Sequence, residues 1–246
     1  MVFKTELSIN EYVNLPSEFD VDLYIKREDR IHDYISGNKY RKLKYNLLEA
    51  QNLGFNTLLT FGGAFSNHIA AVAAYGKIKG LKTIGVIRGE ELEQKIKDNA
   101  TLSFAKSCGM ELKFVTREQY RNKTKPSFIA KLKEEFNRFY ILPEGGTNTL
   151  AVKGCEEILT KADQVFNAIC CPVGTGGTIA GLINCSQPSQ QVLGFPVLKH
   201  SLLQQDISKF ATKANWKLIT DYHFGGYAKV DSLLHDRCGR LRQPSA

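Results

Sequence analysis

Two hydrophobic periods alternate along this chain. From residue 22 onward, short apolar runs bounded by turn formers are followed by longer stretches in which apolar side chains recur at helical spacing. Runs of the first kind fit strands buried on both faces, and stretches of the second fit helices that bury one stripe. The strand candidates are residues 23–26, 57–61, 83–88, 111–115, 139–142, 165–170, 192–198 and 217–219. The helix candidates are residues 39–52, 67–79, 99–107, 127–136, 150–159 and 202–214. This alternation is the pattern of βαβ units, in which a crossover helix returns the chain to begin the next strand parallel to the last. The predicted class is therefore α/β with parallel sheets. No internal repeat or low-complexity linker interrupts it.

Composition narrows the class further. With 246 residues and 43% apolar side chains the chain can bury a substantial core. The longest apolar runs are too short to span a membrane, and Met1-Val2-Phe3-Lys4-Thr5-Glu6 is unlike a signal peptide, so a cytoplasmic protein with no membrane partner is expected. The formal charge of +8 raises the question of nucleic acid, but lysine and arginine are spread through nearly every helix-like segment and do not cluster with aromatics. No nucleic-acid partner is expected. Six cysteines, at 108, 155, 170, 171, 185 and 238, form no C-x-x-C pair and have no histidine at ligand spacing. Reduced thiols are predicted, with neither a metal site nor a disulfide framework.

Three segments carry candidate chemistry. In Ser36-Gly37-Asn38-Lys39-Tyr40-Arg41-Lys42-Leu43, Asn38 is a good N-cap, and Lys39 and Lys42 share one face at a helix start. A neighbouring cation at a positive helix end lowers a lysine pKa, and such an amine can form a Schiff base; the alternative is a solvated basic helix start. In Gly62-Gly63-Ala64-Phe65-Ser66-Asn67-His68 a glycine turn joins a strand to a helix, so Ser66, Asn67 and His68 stand where free backbone N–H groups attract a carboxylate. Simple capping by Ser66 or Asn67 explains that segment equally well. In Cys171-Pro172-Val173-Gly174-Thr175-Gly176-Gly177-Thr178-Ile179-Ala180-Gly181 the glycines let successive N–H groups point at one anion, and two threonine hydroxyls add donors. A dinucleotide fingerprint would need glycine where Ile179 stands and an acidic residue about 20 positions on, and a nucleotide P-loop would need Gly-Lys-Ser/Thr. A small phosphorylated cofactor remains.

In this order the three segments resemble the fold-type II pyridoxal-phosphate enzymes, the tryptophan synthase β-like group. Ser36 to Leu43 together with Ser66-Asn67-His68 resembles, within that group, the family of 1-aminocyclopropane-1-carboxylate deaminase and D-cysteine desulfhydrase. The resemblance runs from about residue 20 to 227. It implies two parallel-sheet α/β domains with pyridoxal 5'-phosphate between them: a large domain of residues 1–49 plus 146–235, and a small inserted domain of residues 50–145. It also implies roles. Lys39 holds the cofactor covalently and, once freed, serves as base; Lys39 and Ser66 form the catalytic machinery. Lys42, Gly174, Thr175, Gly176, Gly177 and Thr178 bind the phosphate, and Asn67 lies against the phenolic oxygen. Ser66 and the backbone of Asn67 and His68 receive the substrate carboxylate. The implied reaction takes a small amino acid, D-cysteine or a cyclopropane amino acid, to a keto acid and ammonia in a homodimer, with more weight on desulfhydrase-like β-elimination.

The sequence also departs from that family. Phe65 replaces a glutamine, and Ile69-Ala70-Ala71 replaces a more polar continuation. After Gly225-Gly226-Tyr227 the expected tyrosine-bearing segment and the partner of the pyridine nitrogen are missing, and the tail 236–246 has no apolar period. A truncated or frameshifted C-terminus is expected on that ground. Two alternatives follow: a catalytically impaired cofactor-binding protein, and a nucleotide-binding α/β protein, the latter disfavoured by Ile179. Elsewhere, His32, His200, His223 and His235 are expected at surface or capping positions. Tyr222 and Tyr227 have no secure role, Glu144 is a candidate support near the cleft, and Trp216 is a core candidate.

Overall fold

The computed structural model describes residues 3–197 and 201–222. Its elements follow in the order β1 (Asn10–Val13), β2 (Leu23–Lys26), α1 (Asn38–Asn52), β3 (Thr57–Gly62), α2 (Asn67–Lys79), β4 (Lys82–Arg88), α3 (Ala100–Ser107) and β5 (Glu111–Val115). Then come α4 (Arg117–Arg121), α5 (Pro126–Phe136), β6 (Tyr140–Leu142), α6 (Thr149–Cys155), β7 (Ala168–Val173), α7 (Gly177–Cys185), β8 (Gln191–Pro196), α8 (Leu203–Ser208) and β9 (Trp216–Leu218).

Two parallel sheets organise these elements, one of order β5-β4-β3-β6 and one of order β7-β8-β9. Side chains on a strand point alternately to opposite faces, and β3 uses both. Leu58 packs with Leu43, Leu47, Ile69 and Val72, whereas Leu59 and Phe61 pack with Ile84, Val86 and Leu132. A strand with two covered faces reads as a continuous apolar run, which is how residues 57–61 appear in the sequence. The three-stranded sheet has its own core around Val173, Ile179, Ile183 and Val192, with Trp216 half-buried at its edge. Helix α1 packs against both α6 and α2, so the two lysines near its start lie where the two sheets' helices meet.

Several boundaries differ from expectation. Gly37, not Asn38, occupies the N-cap of α1, and the Asn38 side chain instead donates to Thr178 Oγ1 at 2.7 Å. Helix α6 stops at Cys155 because the chain tightens into short turns and then meets the capping box of Thr160 and Asp163. The buried Asp163 carboxylate accepts from Lys26 Nζ at 2.8 Å and Asn10 Nδ2 at 2.9 Å, which anchors this turn to the β1-β2 ribbon and delays β7 to Ala168. Helix α8 ends early because Asn184 Oδ1 accepts from both the backbone and the hydroxyl of Thr212, drawing the chain out of the helix. Strand β1 was not expected; it pairs antiparallel with β2 although much of both strands is exposed. Helix α4 was also missed, and the Thr116 to Gln119 capping box was its signal. His32 is buried, and its Nδ1 accepts from the backbone of Tyr34 and Ile35. The five cysteines among the described residues are unpaired. The expectations for His200, His223, Gly225, Gly226, Tyr227, His235, Cys238 and the tail 236–246 lie outside the described residues.

Candidate active site

Ligand sites in open parallel sheets lie beyond the carboxyl ends of the strands. Here β3 delivers its end to α2, β7 delivers its end to α7, and the start of α1 adds Lys39 and Lys42.

Lys42 is 2% exposed, and its Nζ donates to Gly145 O at 3.0 Å, Thr147 Oγ1 at 3.0 Å and Thr175 Oγ1 at 3.4 Å. These partners are neutral oxygens, and burial lowers the Lys42 pKa. A buried cation among neutral acceptors is costly, and an anion entering the neighbouring cavity would supply the missing charge. That cavity, about 120 Å³, is lined by Lys39, Lys42, Gly145, Thr175 and Thr178, among others. Its far wall is the start of α7. Gly176 is the N-cap at φ 82 with no side-chain cap, so the first N–H groups of a nine-residue helix are left for a ligand. A Cβ on Gly176 would also stand 2.9 Å from Ile207 Cγ1, so glycine is required there on two counts. A Cβ on Gly174 would meet nothing within 4 Å, which leaves open space at the mouth of the loop.

Lys39 lines this cavity and also a larger one of about 440 Å³, shared with Ser36, Asn38, Asn67, Tyr34 and Phe104. Its pKa is pushed down to about 7, first by burial and then by the Lys42 charge. A lysine in that state offers a neutral amine near neutral pH, the form that attacks a carbonyl. Together, a reactive amine, an uncapped helix start and a buried cation without a counter-charge fit a phosphorylated aldehyde cofactor.

The remaining expected residues are distributed unequally. Asn67 is exposed and lines the larger cavity with Lys39. Ser66 is the N-cap of α2, its Oγ accepting from Ile69 N at 3.3 Å, and it lines neither cavity. Gly177 begins α7 and is packed against Thr147, 2.8 Å from where its Cβ would be. His68 is fully buried and lines neither cavity, so its side chain is not at the substrate face. Sequence reasoning missed Thr147, which joins Lys42 to Thr175 through a 2.6 Å hydroxyl pair, and the bond from Asn38 to Thr178. The second glycine-threonine turn, Gly145-Gly146-Thr147, was the available signal. Also missed were Tyr34 and Phe104, whose rings stack at 4.6 Å on the wall of the larger cavity. Glu144 accepts from the Tyr120 hydroxyl at 2.8 Å and pairs with Lys123, which holds the turn from behind.

Comparison with known proteins agrees with this geometry. The profile of the family described as pyridoxal-phosphate dependent enzyme matches residues 4–196. A putative 1-aminocyclopropane-1-carboxylate deaminase of Thermotoga maritima is 37% identical over 175 residues, covering 68% of this chain and 55% of that protein. One of the same name from Pyrococcus horikoshii is 31% identical, covering 92% of this chain and 74% of the relative. A D-cysteine desulfhydrase of Klebsiella pneumoniae is 28% identical, covering 84% and 70%. Among solved structures, an ACC deaminase homologue superposes with a TM-score of 0.78 at 27% identity, covering 91% of this chain and 73% of that one. The chain thus spans about half the length of the Thermotoga relative, 55%, and about three quarters of the Pyrococcus one, 74%. The nucleotide-binding alternative gives way to these matches, and the fold is that of the fold-type II enzymes. The chain belongs to the pyridoxal-phosphate dependent enzyme family.

Proposed function

We propose that the cleft between the start of α1 and the starts of α2 and α7 removes ammonia from a small amino acid and leaves a keto acid. The substrate is D-cysteine, by β-elimination in which the Cβ–S bond breaks and sulfide leaves as well, or 1-aminocyclopropane-1-carboxylate, by ring opening; desulfhydrase-like elimination is the stronger reading. The observation that carries it is Lys39, a lysine with pKa about 7 at the junction of a phosphate-sized cavity and a larger one. The relatives' names supply the substrate class.

In this reading Lys39 Nζ anchors the cofactor carbonyl, and Lys42 with Gly174, Thr175, Gly176, Gly177 and Thr178 receives the phosphate. The bound cofactor supplies an electron sink. Lys39 Nζ, on the lining of both cavities, would be the base that takes the Cα proton of D-cysteine; 1-aminocyclopropane-1-carboxylate carries no hydrogen on Cα, so on that substrate the same base would act at a ring methylene. Asn67 faces the cofactor oxygen. The Ser66 Oγ accepts from Ile69 N with one of its two lone pairs and keeps its O–H to donate to the substrate carboxylate, beside the backbone N–H groups of Asn67 and His68.

We further propose that residues 50–145 form the inserted small domain and residues 1–49 plus 146–235 the large one, with 236–246 an atypical tail. The strands of the four-stranded sheet fall within 57–142 and those of the three-stranded sheet within 168–218, which supports that division. Among the described residues no helix is long and apolar enough to cross a membrane. A cytoplasmic homodimer is the proposed working form.

The test is keto-acid and ammonia release from D-cysteine and from 1-aminocyclopropane-1-carboxylate, by wild type and Lys39→Ala with added pyridoxal phosphate. Release from one substrate that depends on Lys39 supports the reading. Cofactor binding with no release from either identifies a catalytically impaired cofactor-binding protein.

A further inference from the structure

Among the described residues, buried side-chain nitrogens or oxygens without a hydrogen-bond partner occur only in His68 and Asn215, and His68 leaves both ring nitrogens unpaired. The ring is 1% exposed. It lies against Gly146, where a Cβ would stand 2.8 Å from Cε1 and 3.2 Å from Nδ1. Gly145, one residue earlier, lines the smaller cavity and accepts from Lys42 Nζ. The imidazole is thus one residue behind the wall of the cofactor cavity.

Burial first, and then the charges of Lys39 and Lys42, hold the His68 pKa well below its ordinary value, so the ring is neutral. A neutral imidazole carries one N–H donor and one acceptor nitrogen. Leaving a buried polar group unpaired is destabilising, and an apolar residue of similar shape would avoid the cost. A buried polar group that the chain itself leaves unpaired points to a partner from outside the chain, such as a water or a ligand. Both charged neighbours of this ring are the groups on which the cofactor is placed.

We propose that His68 is a cofactor-binding residue: when the phosphorylated cofactor occupies the space beside Lys39 and Lys42, the ring N–H of His68 donates towards it through one bound water. This rests on the cofactor placement proposed above, and it gives the triplet Ser66-Asn67-His68 a second ligand-facing role, distinct from carboxylate binding by its backbone.

The experiment compares wild type, His68→Phe and His68→Gln by thermal melting without cofactor, by the Tm gain on adding pyridoxal phosphate, and by the Kd from absorbance titration. The inference predicts that His68→Phe melts at or above the wild-type temperature without cofactor, gains less on cofactor addition, and binds about tenfold more weakly, whereas His68→Gln, which keeps an N–H donor, stays within about threefold. Wild-type Kd in His68→Phe overturns the inference, and so does equal loss in both variants, which marks shape and not hydrogen bonding. Should His68→Phe fail to fold, His68→Leu carries the comparison; failure of both apolar variants while His68→Gln folds assigns a core role and overturns it as well. Absence of binding by wild type overturns the cofactor placement itself, and the inference with it.

Discussion

Two helix starts face the same cleft and differ in one respect. Helix α2 is capped: Ser66 Oγ accepts from Ile69 N, so part of its N-terminal donor set is already satisfied by the chain. Helix α7 has no side-chain cap, and Gly176 turns the backbone through a left-handed conformation beside Lys42 and Thr175. Both sit at carboxyl ends of parallel strands, the position where any open α/β sheet binds ligands. The difference shows that position makes a site possible and capping decides its ligand. An uncapped start beside a buried cation suits a dianionic phosphate, whereas a capped start that offers one hydroxyl hydrogen and a few N–H groups suits a single carboxylate. Lys39 stands between the two, lining the cavities on both sides.

The comparison breaks most completely at Lys39. Lys39→Ala should abolish the borohydride-reducible visible band and all turnover while leaving a folded protein, as checked by absorbance and circular dichroism. Lys42→Met comes next. It removes the charge from the α7 side, and loss of a charge-assisted hydrogen bond of about 1.5–3 kcal/mol weakens cofactor binding roughly tenfold to a hundredfold, measured by titration. Gly176→Ala strains a left-handed position and crowds Ile207; about 1–3 kcal/mol of stability should be lost together with cofactor affinity, read by melting with and without cofactor. Ser66→Ala sharpens the contrast from the other side. Losing the cap costs about 0.5–2 kcal/mol and raises KM, yet leaves the cofactor Kd unchanged. The smallest effect is on pH. Lys39 is charged below about 7 and neutral above it, so the rate at which the visible band forms should rise through pH 7 and level off. A rate that levels off only near the ordinary lysine value would show that the amine is not shielded as described.

Much of this contrast was visible in the sequence. Helices 67–79 and 39–52, strand 57–61 and the three motifs depend on local periodicity and on glycine, serine and asparagine chemistry, and the structure keeps them close to their expected limits. What escaped was long-range. Asn38 reads as an N-cap, but Thr178, far along the chain, takes its side chain. Thr147 reads as one more turn residue until the fold sets it against Thr175 and Lys42. Helix α8 ends at Ser208, and a few residues on Asn184 holds Thr212 outside the helix, a contact that no local pattern encodes. His68 reads as part of a substrate motif, and only packing shows its ring behind Gly146 with both nitrogens unpaired.

The central claim is that Lys39, held between a capped and an uncapped helix start, is the cofactor's anchor. Its most direct test is to load the purified protein with pyridoxal phosphate, reduce with borohydride, digest, and locate the phosphopyridoxyl group by mass spectrometry. The account predicts one modified lysine, Lys39, at stoichiometric occupancy. Modification of Lys42 in its place, scattered labelling of surface lysines, or none at all in a folded protein would contradict it.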